Sequence, residues 1–344
     1  MGGEGNIGPI ESVIEAAPNS VMVVIFEIRD DQTPFVVEPA PYSATQVRIK
    51  VNRAVDEKSA VRDFYITNLP LSSSLLKPSP MAMTEDPGYF HCKTWGDNCR
   101  IEKTISANIT SLADIIDELG LPPPDVISAD AQDAELGILK GAGRYLDNVL
   151  GVVTEVEFSE IYHKQSLFDE QMALLSPCGL RLVNLFNSQV WHPGPRMRGH
   201  GFLTVAEAVF VKYFHAFGAG EEHPSRGYAD MRLASTPELV KACTLAMGLR
   251  LLSYAVKIAD FLKAERSDYQ GYVEAVPVLQ VAFTLSDYVA RNLHLMNGKF
   301  DIFVDAIQFP DSHNLKYPVP DTSALQWIET KKRLMQERVE PPAP

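Results

Sequence analysis

The chain contains few cysteines, which argues against a fold held together by disulfide bonds. Only Cys92, Cys99, Cys178 and Cys243 occur in 344 residues, whereas small secreted domains that depend on disulfides are dense in cysteine. Cys92 and Cys99 flank a short loop, but their spacing is not that of a CxxC element and no second pair follows. The cysteines therefore indicate neither a disulfide framework nor a zinc site.

Long apolar segments are also missing. No uninterrupted apolar run reaches the roughly 18 residues that indicate a membrane span, and the N-terminus lacks the basic and apolar regions of a secretory signal. We therefore expect a cytoplasmic protein without a membrane partner.

Positive charge is in short supply. The chain has 31 Lys and Arg residues against 44 Asp and Glu residues, which gives a net charge of −13. Nucleic-acid binding requires clustered cations, so this balance disfavours a nucleic-acid partner. With 46% apolar and 22% charged residues, the chain can bury a sizeable core and is long enough for two domains.

The most informative segment runs from residue 124 to residue 143, PDVISADAQDAELGILKGAG. Val126 and Ile127 predict a short buried strand, and after Asp130 the apolar spacing becomes helical. Gly141 and Gly143 are placed as glycines that close the helix. The segment therefore predicts a βα unit with Asp130 at the carboxyl end of its strand, where an open α/β sheet binds its ligand.

This segment resembles the core motif of the FkbM-type methyltransferases. The matching residues are Asp125, Asp130, Gln132, Ala134, Glu135, Leu136, Leu139, Lys140, Gly141 and Ala142. Two positions differ, because Ser128 stands where the family commonly has Lys and Asp133 where it has Gly. The resemblance implies an α/β fold with a Rossmann-like class I methyltransferase sheet, S-adenosylmethionine as cofactor, and a hydroxylated small molecule, such as a sugar or a polyketide-like product, as methyl acceptor.

The first residues resemble the glycine loop that follows the first strand in this family. The candidate cofactor-binding residues there are Gly3, Gly5, Asn6 and Gly8. A glycine loop lets the backbone approach the cofactor closely, although a flexible terminus is the alternative. Because Met1 immediately precedes this loop, we expect either a truncated start or a sheet without its first strand, and weak cofactor binding if the polypeptide begins here.

Three further acids join the cofactor-binding candidates. Residues 21–27 form an apolar run that ends in Glu27, as the second strand of a Rossmann-like sheet presents a carboxylate to ribose hydroxyls. Glu38 is the rival for this role, since the family often places the acid in a Phe-Glu-Pro sequence. Asp114 closes a stretch that resembles the segment before the family's fourth strand, and Asp130 completes the set.

The candidate catalytic residues are Asp130, Glu155, Glu157 and His163. Residues 152–158 predict a fifth strand that ends in acids, and His163 is the nearest imidazole. Any of these side chains could accept the proton of an acceptor hydroxyl; cofactor binding and helix capping are the alternatives for the acids. A metal shared by Asp130 and Glu157 would polarise that hydroxyl, but no ligand set in the sequence requires one, so we predict no metal.

Later segments complete the predicted organisation. Residues 180–186 and 206–212 predict the antiparallel strand pair that completes a methyltransferase sheet. We divide the chain into an FkbM-like domain at 1–217, a helical extension at 218–336 and a disordered tail at 337–344. One apolar stripe from Leu245 to Ala259 predicts a helix, and Pro277 opens a second; the two helices pack on the protein or form a homo-oligomer.

Two other functions remain open at this point. The departures at Ser128 and Asp133, together with the missing first strand, suit a catalytically silent binding or assembly protein that keeps the fold. Acids at strand ends also bind ribose in nucleotide-sugar and dinucleotide enzymes.

Overall fold

The structure, a computed structural model, describes residues 22–28, 35–39, 47–86, 94–193, 200–218, 221, 227–275 and 277–292. The chain divides into two compact units, Met1–Gln280 and Val281–Pro344. Every feature of the candidate site lies in the first unit.

Strands and helices are numbered in chain order. The strands are β1 (Met22–Phe26), β2 (Phe35–Pro39), β3 (Val47–Val51), β4 (Ala54–Val55), β5 (Ala60–Thr67), β6 (Glu85–Asp86), β7 (Ile101–Thr110), β8 (Val126–Ala129), β9 (Gly151–Glu157), β10 (Leu180–Pro193), β11 (Phe202–Lys212), β12 (Phe214–His215) and β13 (Ala229–Asp230). The α-helices are α1 (Trp95–Cys99), α2 (Leu112–Leu119), α3 (Glu135–Gly141), α4 (Phe168–Leu175), α5 (Thr236–Gly248), α6 (Leu252–Glu265), α7 (Tyr269–Ala275) and α8 (Pro277–Asn292). Short 3-10 turns cover Pro70–Ser72, Ala82–Thr84, Gly143–Asn148 and Ser176–Cys178.

The largest described sheet has the order β6-β10-β11-β9-β8. β8 and β9 run parallel, whereas β11 is antiparallel to both β9 and β10. The predicted antiparallel strand pair is therefore confirmed. β9 is buried along nearly its whole length, as expected for a strand that is covered on both faces of its sheet.

Two smaller sheets lie earlier in the chain. In the first, β3 pairs with β1 in parallel and with β2 in antiparallel orientation. In the second, β7 lies between β4 and β5. The fold is thus mixed α/β, as predicted. Within the described residues β1 and β8 belong to different sheets, so one continuous Rossmann-like sheet stays a prediction, and the glycine-rich residues 2–8 lie outside the described residues.

Helices cover the parallel strands and form the main core with them. Ile115 of α2, Leu139 of α3 and Leu175 of α4 are buried in one apolar cluster with Val152 and Val156 of β9. Burying such aliphatic side chains contributes roughly 1.5 to 3 kcal/mol each. The βα unit predicted at residues 124–143 is therefore the central element of this core.

The prediction of one continuous helix over the apolar stripe from Leu245 to Ala259 is wrong. α5 ends at Gly248 and α6 begins at Leu252, and between them Arg250 adopts a φ of 61°. A left-handed residue ends a helix. Because only three residues separate the two helices, the apolar spacing continues across the break and cannot reveal it.

These helices contact the large sheet. The Tyr254 hydroxyl of α6 donates to the Lys212 carbonyl oxygen at 2.7 Å and accepts from the Phe214 amide at 2.7 Å, and Lys241 of α5 lies 2.9 Å from Asp125. α5, α6 and α7 therefore belong to the same compact unit as the sheet. The boundary at residue 217 stays a prediction, as does a homo-oligomer through the helices, and the tail at 337–344 lies outside the described residues.

The structure addresses the predictions about a membrane partner and cellular location only through its helices. None of the described helices combines the length and the apolar character that crossing a bilayer requires.

Cys99 is buried, with its sulfur 3.1 Å from the Trp95 carbonyl oxygen, and Cys92 lies outside the described residues.

Close backbone contact between α3 and the residue after β4 makes Gly141 sensitive to substitution. A Cβ at Gly141 would lie 2.4 Å from the carbonyl oxygen of Asp56, so Gly141→Ala forces the backbone to move. We expect this variant to lose about 1 to 3 kcal/mol of unfolding free energy, measured by urea denaturation. Gly271→Ala is the matched control, because nothing lies within 4 Å of a Cβ in that helix; equal stability of the two variants would contradict the prediction.

Candidate active site

Three of the four predicted catalytic residues lie at one edge of the large sheet. β8 and β9 are parallel, with Ala129 opposite Thr154, so Asp130 leaves β8 beside the acids of β9. One oxygen each of Asp130, Glu135 and Glu155 lie within 4.8 Å of one another. The prediction that strand-end acids from these two strands come together is consistent with this geometry.

A second group of acids lies next to the first and shares Glu135 with it. One oxygen each of Asp133, Glu135 and Glu157 also lie within 4.8 Å of one another. We call Asp130 and Glu155 the outer pair and Asp133, Glu135 and Glu157 the inner triad. The outer pair is exposed or half-buried, whereas the inner residues expose 6%, 1% and 1% of their surface.

Gln132 holds the outer pair. Its Nε2 donates to Asp130 Oδ1 and to Glu155 Oε2, at 3.0 Å in each case. The Gln132 carbonyl oxygen accepts from the Ser74 hydroxyl at 2.6 Å, which anchors the loop to the Ser-rich segment after β5. The two carboxyl groups are therefore oriented by one amide that is itself fixed.

The inner triad contains carboxyl oxygens with no partner. Glu135 Oε1 accepts from the Ala131 amide at 2.6 Å, and this bond closes the loop before α3. Both side-chain oxygens of Asp133, and Oε1 of Glu157, are buried without a hydrogen-bond partner among the described residues. An unpaired buried polar group costs free energy, so the triad is destabilising unless protons or a cation join it.

Burial and mutual repulsion alter the acidity of these groups. Burial raises the pKa of Asp133, Glu155 and Glu157 well above the usual values, and neighbouring carboxyl groups raise it further. Burial also raises the pKa of Glu135, to about 7, even though backbone amides favour its ionised form. Like charges at short distance disfavour ionisation in this way.

Asp133 occupies a strained backbone position. Its φ is 78°, and that of the preceding Gln132 is 51°; both lie in the left-handed region that favours glycine. The FkbM-like motif has Gly where this chain has Asp133. The substitution therefore combines backbone strain with a buried carboxyl group, and such strain concentrates at functional sites.

A pocket of about 330 Å³ lies beside the inner triad. Asp133 and Gln165 line it together with Arg62, Lys140 and Lys164. Gln165 Oε1 accepts from the Ile161 amide at 2.6 Å and from the Tyr162 amide, which fixes the segment after β9. The Tyr162 hydroxyl donates to the Ser72 carbonyl oxygen at 2.8 Å, so the pocket wall is tied to the Ser-rich segment.

Two of the predicted site residues have other contacts. His163 is exposed, and its imidazole lies 3.7 Å from the Glu160 carboxylate. Asp114 lies in the first turn of α2, where its carboxylate accepts from the Ser59 hydroxyl at 2.6 Å. Hydrogen bonds from Ser59 and Ser111 lower the pKa of Asp114. Among the described residues, no hydrogen bond or ion pair joins His163 or Asp114 to the acid cluster, and their functional roles stay predictions.

Glu27 lies where the sequence places it, immediately after β1. Its Oε2 is buried without a hydrogen-bond partner among the described residues. The next residue, Ile28, packs on the same apolar cluster as Ala131, so the end of β1 and the loop after β8 are near neighbours. Gly3, Gly5, Asn6 and Gly8 lie outside the described residues.

Glu38 has a different position in the small sheet. It pairs with Arg48 near the beginning of β3, whereas the Glu27 amide bonds to the Val51 carbonyl oxygen at the end of β3. The two acids therefore lie towards opposite edges of that sheet.

The sequence interpretation did not assign a role in the site to Gln132 or Asp133. Both lie inside the FkbM-like motif, and the Gly-to-Asp departure at Asp133 was a visible signal. Glu135 also lies inside the motif, and its hydrogen bond from the Ala131 amide closes the loop before α3.

Residues 13–182 match the family model of the methyltransferase FkbM domain. No curated protein and no solved structure matches the chain. The match includes the acid cluster, and it begins after the glycine-rich residues 2–8.

The raised pKa of Glu135 predicts that stability falls as the pH rises. Its folded-state pKa is about 7 against an ordinary value of 4.5 for glutamate, so between these values the folded protein binds more protons than the unfolded chain does. In a chelator-containing buffer, we expect unfolding free energy to decrease from pH 4.5 to pH 7, by on the order of 3 kcal/mol from this group.

Glu135→Gln keeps the acceptor for the Ala131 amide but removes the ionisation, and it should make this dependence less steep in urea denaturation at a series of pH values. Glu160→Gln is the control, because Glu160 lies on the surface. A slope in Glu135→Gln as steep as in the wild type would contradict the assignment.

Proposed function

We propose that this chain, whose residues 13–182 match the methyltransferase FkbM domain, transfers the methyl group of S-adenosylmethionine to a hydroxyl group of a small molecule. The observation that carries this proposal is the pair of acids that Gln132 holds at the ends of β8 and β9. This edge of a parallel sheet is where α/β proteins bind their ligands.

Among the described residues, Glu27 is suited to hold the proposed cofactor. Glu27 has a buried carboxylate oxygen without a partner, and a ribose hydroxyl would donate to it. The family resemblance adds Gly3, Gly5, Asn6 and Gly8 as residues that would hold the cofactor. When bound, S-adenosylmethionine supplies a methyl group that its positively charged sulfur already activates.

The chain must then orient the acceptor hydroxyl and accept its proton. Asp130 is exposed at the end of β8, so a substrate can reach it, and the Gln132 amide fixes its carboxylate. Loss of contact with water raises the pKa of the neighbouring half-buried Glu155, and the charges of Asp130 and Glu157 raise it further, so Glu155 keeps its proton to higher pH and can hydrogen-bond the acceptor hydroxyl. We assign Asp130 as the proton acceptor and Glu155 as the residue that orients the same hydroxyl.

The acceptor class follows from the chemistry of this edge. Carboxylates accept hydrogen bonds but cannot donate them when ionised, so they select a molecule that offers several hydroxyl groups. A sugar or a polyketide-like natural product has this character. A catalytically silent relative is the second candidate, favoured by the strained, buried Asp133 at the position where the motif has Gly.

Loss of the Glu27 carboxylate should weaken cofactor binding. If a charged hydrogen bond is removed, Glu27→Ala costs about 1 to 3 kcal/mol, which is about 5- to 150-fold in Kd for S-adenosylmethionine by calorimetry. Glu38→Ala is the matched control and should bind as the wild type does, because Glu38 lies towards the opposite edge of the sheet. A weaker Glu38→Ala with an unchanged Glu27→Ala would reverse the assignment.

Replacement of Asp130 separates chemistry from binding. Asp130→Asn should lower kcat about 10²- to 10⁴-fold, as expected for loss of a general base, with little change in the Kd for S-adenosylmethionine. The assay follows S-adenosylhomocysteine release with a panel of hydroxylated sugars and polyketide-like alcohols, and Asp63→Asn on the exposed face of β5 is the control. Equal losses in kcat and in cofactor affinity would make Asp130 a cofactor ligand, and cofactor binding without turnover on any acceptor would favour the silent relative.

A further inference from the structure

We propose that the inner triad of Asp133, Glu135 and Glu157 binds a divalent metal ion with a preference for oxygen ligands, such as Mg²⁺, Mn²⁺ or Ca²⁺. Oxygens bound to one such ion at about 2.1 to 2.5 Å lie no more than about 5 Å apart. The three carboxyl oxygens lie within 4.8 Å of one another, so a single ion between them would lie close to bonding distance of all three.

Unpartnered oxygens inside the triad point independently to a missing ligand. Asp133 exposes 6% and Glu157 1% of its surface, yet both oxygens of Asp133 and one of Glu157 have no hydrogen-bond partner among the described residues. Buried polar atoms in proteins are nearly always paired with protein groups, water or an ion. Asp133 and Glu157 lie close enough to share a hydrogen bond when one of them is protonated, so these acceptor oxygens call for a cation or for protons.

No cation of the described chain occupies this position. None of the salt bridges among the described residues includes a member of the triad; Lys241 pairs with Asp125 and Arg144 with Asp117. Arg62, Lys140 and Lys164 line the neighbouring pocket, and Arg62 pairs with Asp56. Three carboxylates without a counter-ion would repel one another strongly at low dielectric. A divalent ion removes most of this repulsion.

The surroundings allow an ion to enter and to complete its coordination. Asp133 lines the pocket of about 330 Å³, and Glu135 also belongs to the acid group that contains the exposed Asp130. Mg²⁺ keeps several water ligands when it binds to proteins, and the pocket offers space for them. The bond from the Ala131 amide to Glu135 Oε1 orients one ligand, as groups around a metal site commonly do.

Metal binding can be measured without the methyl-transfer reaction, so failure of this proposal and failure of the proposed function are distinguishable. The full-length protein is treated with a chelator, dialysed and titrated with Mn²⁺, Mg²⁺ and Ca²⁺ by calorimetry at pH 7.5, with thermal unfolding measured in parallel. We expect saturable binding of one equivalent of at least one ion, and a rise in Tm at saturation.

Three variants assign the binding to the triad. Asp133→Asn and Glu157→Gln should each weaken binding at least about tenfold and remove the rise in Tm, and Asp133→Gly should do the same while relieving the positive φ. Asp63→Asn, an exposed acid of β5, is the control and should bind as the wild type does. Because the variants remove buried charge, we expect them to fold, which circular dichroism verifies before titration.

Two outcomes would overturn the proposal. The first is absence of saturable binding of all three ions up to 10 mM, that is, about 10⁻² M, weaker than the extracellular calcium modules; the triad would then be neutralised by shared protons. The second is wild-type affinity in Asp133→Asn and Glu157→Gln, which would place the ion elsewhere on the acidic surface.

Discussion

The structure depends on how five carboxyl groups are accommodated at the carboxyl edge of β8 and β9. Two parallel strands of this kind must end at the same edge, and the motif after β8 adds three acids within the next six residues. Like charges at such distances are costly in a buried environment. The local hydrogen bonds, the raised pKa values and the strained backbone are all consequences of this crowding.

Hydrogen bonds divide the acids into two groups with different properties. Gln132 donates to both members of the outer pair, so these carboxylates are stabilised and open to a ligand. Behind them, Gln171 of α4 is fully buried, and its Nε2 donates to the Glu155 carbonyl oxygen at 3.0 Å, which fixes the backbone of β9. The inner triad receives little such support, because only Glu135 has a strong backbone donor. The outer pair is therefore suited to a substrate and the inner triad to a counter-ion.

Much of the fold could be predicted from local patterns, and the remainder depends on tertiary contacts. Apolar runs that end in acids predicted the positions of β1, β8 and β9, because a buried strand requires apolar residues. The sequence predicted that β10 ends at residue 186, whereas the strand continues to Pro193 with irregular register. Bulges break the alternation of apolar and polar residues on which strand prediction relies. The turn at Arg250 was invisible for a similar reason, since the apolar spacing continues across it.

The candidate site was predictable in its strand-end acids but not in its inner triad. Asp130 and Glu155 follow from strand topology, which the sequence encodes locally. Asp133 and the preceding Gln132 both adopt a positive φ, and no spacing rule contains that information. Aspartate tolerates a positive φ less well than glycine does, so it is disfavoured at this position unless its side chain stabilises the protein in another way. The same carboxyl group also lacks any hydrogen-bond partner among the described residues, so a stabilising contribution within the described protein is missing. Protons shared within the triad or a cation from outside the described chain would supply this contribution, and three converging carboxylates suit an oxygen-seeking cation.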